Sequence, residues 1–235
     1  MAQLQAGARS ASDPTGEWSP HETDAPVSEW SPRENDVPVP LPGGDVLLHL
    51  GDFAIDGPAK PRIAALAKFD EWLAGQPHAV KIVLRGNHDP WDVSFPRSNA
   101  SYVTQPSCVL VGGWRLALVP FNARPVRLTI PQGELLATHL PPKAHLDLTY
   151  SGERAGSSAL RGAVERRQGA PPVVWLCGHI HEARGAEIAR FGKPGCAETV
   201  VINAANANSG RANRLVAGPV LFEMRDAADA VGALQ

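Results

Sequence analysis

The sequence has few cysteines, no long apolar run and no excess of either charge. Its three cysteines, Cys108, Cys177 and Cys196, are odd in number and lack CxxC spacing, which suits a reducing compartment better than a disulfide framework. No apolar stretch approaches the roughly 20 residues that cross a bilayer, and the polar N-terminus lacks an apolar signal core. A formal net charge of -2 gives no basic surface for a polyanion. We therefore expect a cytoplasmic protein whose partners include neither a membrane nor a nucleic-acid polymer.

Residues 1–40 differ in composition from the rest of the 235-residue chain. Residues 16–27 are repeated directly as residues 28–39, with eight of twelve positions identical. Proline recurs at every sixth position from 14 to 38, and each one removes a backbone donor and restricts the residue before it. We predict a disordered or extended Pro-rich segment over residues 1–40, with residues 1–15 disordered. Residues 41–235 are predicted to form one globular domain.

Four strand-like apolar runs each end in a polar turn that carries potential ligands. The runs cover residues 46–50, 80–84, 134–137 and 173–177. The turns that follow them are Gly51-Asp52, Gly86-Asn87-His88-Asp89, Thr138-His139 and Gly178-His179-Ile180-His181. Because open α/β sheets bind ligands at the carboxyl ends of their strands, these side chains are predicted to meet at one site.

The side chains in these turns suit a metal-dependent reaction. Imidazole nitrogen and carboxylate oxygen are donors that Zn, Fe and Mn accept. Asp52 can bridge two cations through its two oxygens, and His179 and His181 are alternate residues, which share a face in an extended segment. His88 can donate or accept a proton near neutral pH, and Asp89 can orient it.

The remaining pattern predicts an α/β fold with two mixed β-sheets packed as a sandwich and flanked by helices. A helix is expected over residues 61–73, and another over 159–167 after a Ser157-Ser158 cap. Residues 108–111 and 114–119 are expected to form a hairpin, and residues 90–107 look irregular. Further strands are predicted at 199–202 and 220–222.

Taken together, these motifs resemble those of the calcineurin-like metallophosphoesterases. Residues 44–53, Thr138-His139-Leu140-Pro141-Pro142 and Gly178-His179-Ile180-His181-Glu182 are most similar to its small MPPED-like branch. The resemblance covers about residues 41–223. It implies two divalent metal ions, Mn, Fe or Zn, at the strand ends of a two-sheet sandwich.

The resemblance also implies a role for each residue. Asp52 would bridge the metals, His181 would help to hold the first, and the second would be held by Asn87, His139 and His179. Asn87 and His88 would contact a small phosphoester, and His88, steadied by Asp89, would be catalytic. The implied function is hydrolysis of phosphoesters, most of all small phosphodiesters such as cyclic nucleotides, by a metal-activated water.

One family feature is missing from the sequence. The first Asp-x-His motif, which ends the first strand and supplies two ligands to the first metal, is not found. Either the fold lacks its first strand and Asp52 and His181 alone face the first metal, or Glu29, His21, Glu22 or Asp24 folds back to complete it. The alternatives are therefore a two-metal enzyme, or a single-metal or non-catalytic relic that acts as a binding protein.

Other polar residues in or near strands are assigned no part in the site. His49 lies inside an apolar run, so we interpret it as a packed, hydrogen-bonded core histidine. Asn203, Asn206 and Asn208 follow a late strand and are left outside the predicted site.

Overall fold

The computed structural model describes residues 41–53, 63–122, 128–193, 195–207 and 217–224, together with the backbone of residues 2–5. The first half of the described chain forms β1 (Ala2–Gln5), β2 (Val46–His49), α1 (Ile63–Ala74), β3 (Val80–Leu84), β4 (Ser101–Val103), β5 (Ser107–Val111) and β6 (Trp114–Val119). The second half forms β7 (Leu135–Thr138), α2 (Ser158–Glu165), β8 (Val174–Cys177), β9 (Gly185–Arg190), β10 (Glu198–Asn203) and β11 (Val220–Glu223).

These elements form a helix, sheet, sheet, helix sandwich, as the sequence predicts. Alternate residues of a strand point to opposite faces, so Leu48 of β2 packs between the sheets whereas Leu47 faces α1. In the same way Leu176 of β8 faces the other sheet, and Trp175 packs under α2. Three apolar clusters, one between the sheets and one beneath each helix, therefore hold the layers together.

The sheet order brings the ligand-bearing turns to one edge. The first sheet has the order β11-β1-β2-β3-β4, in which β2, β3 and β4 are parallel. The second has the order β5-β6-β7-β8-β10-β9, in which β6, β7, β8 and β10 are parallel. Asp52 and Asn87 follow neighbouring strands of the first sheet, and His139 and His179 follow neighbouring strands of the second.

The expectation that residues 1–15 are disordered is wrong for Ala2–Gln5. These residues form β1, which pairs antiparallel with β2 and parallel with β11. The edge of β2 that loss of the first strand would have exposed is therefore covered by backbone hydrogen bonds. Sheet pairing across more than 40 residues of sequence has no local signal in so short a strand. Residues 6–40, including the repeat and the candidate ligands within it, lie outside the described residues.

Other elements agree with the sequence or differ from it for identifiable reasons. The hairpin turns at Gly112-Gly113, as predicted, and both of these glycines have positive φ. Ser157 caps α2 by accepting a hydrogen bond from the backbone N–H of Leu160. The region 90–107 is not wholly irregular, because three of its residues pair with β3 as β4. Strand β9 was also not predicted from the sequence. No helix among the described residues is both long and apolar enough to span a membrane.

His49 is packed and hydrogen-bonded, as predicted, and its side chain is partly buried. Its ring lies edge to face against Phe69 and Phe53. Its Nδ1 accepts a hydrogen bond from the backbone N–H of Gly51, and burial lowers the pKa of His49 to about 3. It is therefore neutral and packed.

Candidate metal centre

Four predicted ligands come together where β2, β3, β7 and β8 end. Nε2 of His139 lies 2.8 Å from Oδ1 of Asn87 and 3.1 Å from Nδ1 of His179. It also lies 3.4 Å from Oδ2 of Asp52, which is 3.9 Å from Nδ1 of His179. We call these four side chains the four-donor cluster.

Hydrogen bonding to the backbone fixes which nitrogen of His139 is free. Its Nδ1 lies 2.7 Å from the carbonyl oxygen of Leu50. A carbonyl oxygen can only accept, so Nδ1 carries the proton and Nε2 presents a lone pair. That lone pair faces the amide oxygen of Asn87, which also can only accept. Facing lone pairs repel each other, and either a second proton, on Nε2, or a metal cation between the two atoms removes this repulsion.

The dimensions of the cluster suit a divalent ion. A tetrahedral Zn²⁺ with bonds of about 2.0–2.1 Å separates its ligand atoms by about 3.3 Å. The four measured separations, between 2.8 and 3.9 Å, bracket that value. The side chain of His139 is only 1% exposed, whereas those of Asp52 and His179 are 21% and 27% exposed. His139 is thus the floor of the site, and solvent or a substrate reaches the cluster from one side.

Electrostatics in the cluster also favour a cation. Burial would raise the pKa of Asp52, but hydrogen bonds with His139 and His179 outweigh it and hold that pKa well below its usual range. Burial by itself would lower the pKa of His139. The hydrogen bond with the Asp52 carboxylate and its negative charge act the other way, and the pKa of His139 lies above its usual value. The potential that draws a proton to His139 also attracts a metal ion, which competes with the proton for the same electron pair.

Two glycines let the loops of the first sheet approach each other. A Cβ atom on Gly86 would lie 2.2 Å from Oδ1 of Asp52. One on Gly51 would lie 2.6 Å from the backbone nitrogen of Gly86 and 2.8 Å from Nδ1 of His139, and Gly51 also has a φ of 102°. Any larger residue at either position would push a ligand out of place.

Asp89 joins the same two loops. Its Oδ2 accepts hydrogen bonds from the backbone N–H groups of Asp52, at 2.6 Å, and Gly86, at 2.7 Å. The carboxylate is fully buried. This holds Asp52 in a left-handed conformation, φ 62°, that a non-glycine residue rarely adopts. Asp89 is therefore a positioning residue for a ligand, and its predicted role in steadying His88 stays a prediction.

Asn203 holds the turn of His179 in place, as Asp89 holds the turn of Asp52. His179 also has a positive φ, 68°. The fully buried amide of Asn203 donates to the carbonyl oxygens of Ile180 and Leu146, and its Oδ1 accepts from the backbone N–H of Ala205. Sequence reasoning left Asn203 out of the site. The available signal was an asparagine at the end of a strand that neighbours β8.

His88 and His181 are not part of the four-donor cluster. The backbone N–H of His88 donates to Oδ1 of Asp52 at 3.0 Å, and the His88 side chain is exposed. His181 begins a short 3-10 helix, His181–Ala183, and does not belong to the Asp52, His139 and His179 group whose ligand atoms lie within 4.8 Å of one another. Its assignment to a first metal stays a prediction.

Metal binding should stabilise the chain through this cluster. Mn²⁺ or Zn²⁺ at about 100 times its Kd should add about 2.7 kcal/mol to the free energy of unfolding and raise Tm by ~5–10 °C. In His139→Ala the metal-induced shift should disappear, whereas His145→Ala, a histidine outside the cluster, should keep it. Differential scanning fluorimetry with and without metal measures this. An equal shift in both variants would contradict the site.

The close approach at Gly86 gives a second test. Gly86→Ala should weaken Mn²⁺ affinity by about 10- to 100-fold because the added Cβ displaces the Asp52 carboxylate. Gly178→Ala is the matched control, since it also precedes a ligand but its Cβ would meet nothing closer than 3.7 Å. Isothermal titration calorimetry provides the affinities. Unchanged affinity in Gly86→Ala would show that the loops are not packed as described.

Comparison with known proteins gives the family. The model of the calcineurin-like phosphoesterase family matches residues 29–183, more than half of the chain and all four ligand-bearing turns. The human metallophosphoesterase domain-containing protein 1 is 31% identical over 194 residues, which cover 63% of this chain and 57% of that protein. A UPF0046 protein of Caenorhabditis elegans is 27% identical over 224 residues, 78% of this chain and 69% of that protein.

A third relative is far longer than this chain. The probable rhamnogalacturonate lyase C of Emericella nidulans is 32% identical over 178 residues, which cover 63% of this chain but 16% of that protein. The chain therefore spans only part of these relatives. The match to the family model, with the two-sheet sandwich and the Asp/Asn/His/His cluster, nevertheless leads to one conclusion: the chain belongs to the calcineurin-like phosphoesterase family of metal-dependent phosphoester hydrolases, in the branch similar to the metallophosphoesterase domain-containing proteins.

Proposed function

We propose that this chain is a hydrolase of small phosphodiesters, such as cyclic nucleotides. The observation that carries the proposal is the four-donor cluster, whose atoms converge at 2.8–3.9 Å on one partly open side of the sandwich. Four protein donors fill a tetrahedral Zn²⁺ site, whereas a six-coordinate Mn²⁺ with the same four donors keeps positions for water and a phosphoryl oxygen. Asp52 and His179 are 21% and 27% exposed, so solvent reaches the cluster.

In this proposal, four residues hold the metal ion and His88 transfers a proton. His139, fixed by the Leu50 carbonyl, and Asn87, Asp52 and His179 would hold a divalent cation. When bound, such an ion supplies Lewis-acid charge and acidifies water. Asn87 and His88 lie on the same turn, so a phosphoryl oxygen held beside Asn87 would be close to the His88 ring. Hydrolysis breaks the bond between phosphorus and the leaving oxygen, and we assign His88 the transfer of a proton to that oxygen.

The number of metal ions defines a second candidate function. Of the residues predicted to hold a first metal, the described part of the chain includes Asp52 and His181, and one Asp52 oxygen already accepts a hydrogen bond from His88. A chain that binds a single ion could instead act as a binding protein for phosphoesters. Metal content per chain separates the two, since two equivalents favour the hydrolase and one favours the binding protein.

The wider setting is also part of the proposal. All three cysteines are free, although Cys108 is exposed, and this supports a cytoplasmic location. The small net charge supports a small phosphoester as the partner and argues against a nucleic-acid polymer. Mn²⁺ is the first metal to test, because it favours the carboxylate and amide oxygens that Asp52 and Asn87 supply and takes six ligands, which leaves positions for water.

Hydrolysis of bis(p-nitrophenyl) phosphate in the presence of Mn²⁺ tests the proposal. His179→Ala should reduce the metal-dependent rate by at least about 100-fold, because a ligand and its share of charge stabilisation are lost. His145→Ala should keep the wild-type rate. Metal-dependent activity that survives in His179→Ala, or is absent from the wild-type chain, would refute the proposed hydrolase.

The role of His88 predicts a dependence on the leaving group. An alkoxide leaves poorly without a proton, whereas p-nitrophenolate leaves readily without one. His88→Ala should therefore slow hydrolysis of an alkyl phosphodiester by about 100-fold or more, and that of bis(p-nitrophenyl) phosphate much less. Steady-state rates on the two substrates measure the difference. Equal losses on both would assign His88 to binding and not to proton transfer.

A further inference from the structure

Arg85 and Trp91 form a stacked pair next to the cluster that none of the roles above uses. The guanidinium carbon of Arg85 lies 3.8 Å from the centre of the Trp91 ring. Arg85 is the residue between the end of β3 and Gly86, and it is only 4% exposed. Such cation–π contact holds an aromatic ring in one orientation.

Contacts of Arg85 place this pair at the same edge of the sandwich as the metal centre. Nη1 of Arg85 donates to the backbone oxygen of Phe121 at 2.9 Å, and the backbone N–H of Phe121 donates to the Arg85 carbonyl at 2.8 Å. The ring of Phe121 packs edge to face on His139, with centroids 5.8 Å apart. A chain of contacts through Arg85 and Phe121 thus connects the Trp91 ring to a ligand of the cluster.

The segment that carries Trp91 is held from a second direction. Tyr102 of β4 donates a hydrogen bond to the carbonyl oxygen of Pro90. Asp89, Arg85 and Asp52 are all close enough to the Tyr102 hydroxyl to act on it electrostatically. The backbone from His88 to Trp91 is therefore anchored at both ends of a short turn, and the ring position is set before any ligand arrives.

One face of the Trp91 ring is available to stack on a ligand. It is 50% exposed, as expected for a ring with one face on Arg85 and the other open to solvent. Nε of Arg85 is buried and has no hydrogen-bond partner among the described residues. The pair therefore offers a rigid aromatic face backed by a permanent positive charge, a combination that suits a planar, electron-rich ring attached to an anion.

We propose that Trp91, held by Arg85, is a specificity-determining residue that stacks on a planar aromatic group of the phosphoester. This inference rests on the proposed function, because it places the phosphoryl group of that aromatic ester at the four-donor cluster. It assigns the preferred substrates to aromatic phosphoesters, with the ring lying beyond the His88 turn. Arg85 acts through Trp91 as a positioning residue.

A matched pair of non-hydrolysable ligands tests the proposal. Phenylphosphonate and methylphosphonate carry the same anionic group and differ in the ring. With Mn²⁺ present, the full chain should bind phenylphosphonate about fivefold to tenfold more tightly. Trp91→Ala should reduce this preference to near unity without changing the affinity for methylphosphonate, whereas Trp91→Phe should keep most of it. Isothermal titration calorimetry measures all the affinities.

Tyr150→Ala is the control for unspecific loss of an exposed aromatic side chain, since Tyr150 is 81% exposed, and it should keep the wild-type preference. If Trp91→Ala is unstable, quenching of tryptophan fluorescence by 4-nitrophenylphosphonate provides the second test, because Trp91→Phe should lose part of the quenching. A wild-type chain that does not prefer phenylphosphonate, or a preference that persists in Trp91→Ala, would overturn the aromatic subsite. Binding of methylphosphonate in the same experiment would still support the phosphoryl site. Failure to bind either phosphonate would overturn both.

Discussion

The structure depends on the convergence of four donor side chains, Asp52, Asn87, His139 and His179, from four separate loops. Atoms that only accept hydrogen bonds lie this close when a proton or a metal cation lies between them. The Leu50 carbonyl accepts a hydrogen bond from Nδ1–H of His139, which leaves Nε2 facing the other ligand atoms. The hydrogen bond to the Leu50 carbonyl thus orients His139 for binding a cation before the ion arrives.

The scaffold holds the ligands at the cost of backbone strain. Asp52 and His179 both have left-handed backbones, which cost about 1–3 kcal/mol each for a residue with a side chain. Buried polar groups compensate for the strain: Asp89 accepts two backbone hydrogen bonds at the first turn, and Asn203 donates two at the second. The parallel strands of the two sheets bring these turns to a common edge.

Much of the site could be predicted because its information is local. Each ligand follows directly on an apolar run, and the carboxyl ends of parallel strands share an edge, so the meeting of Asp52, Asn87, His139 and His179 followed from pattern alone. The packed, hydrogen-bonded state of His49 followed from its place inside such a run. The two-sheet sandwich and both helices likewise follow from apolar periodicity and the Ser157 cap.

The parts that sequence reasoning missed depend on contacts between distant residues. Strands β1 and β4 have four and three residues, too few for a periodic pattern, and they form because a neighbouring strand offers hydrogen bonds. The hydrogen bonds from backbone N–H groups of two loops to Oδ2 of Asp89 were also not predicted. Asn203 and the Arg85–Trp91 pair show their roles only once the sheets are assembled.

Anomalous diffraction from crystals grown with Mn²⁺ tests the central claim most directly. Data collected at the manganese absorption edge should give a peak bonded to Oδ2 of Asp52, Oδ1 of Asn87, Nε2 of His139 and a ring nitrogen of His179. A peak that is bonded to fewer than three of these four atoms, or no peak at a saturating Mn²⁺ concentration, would contradict the account.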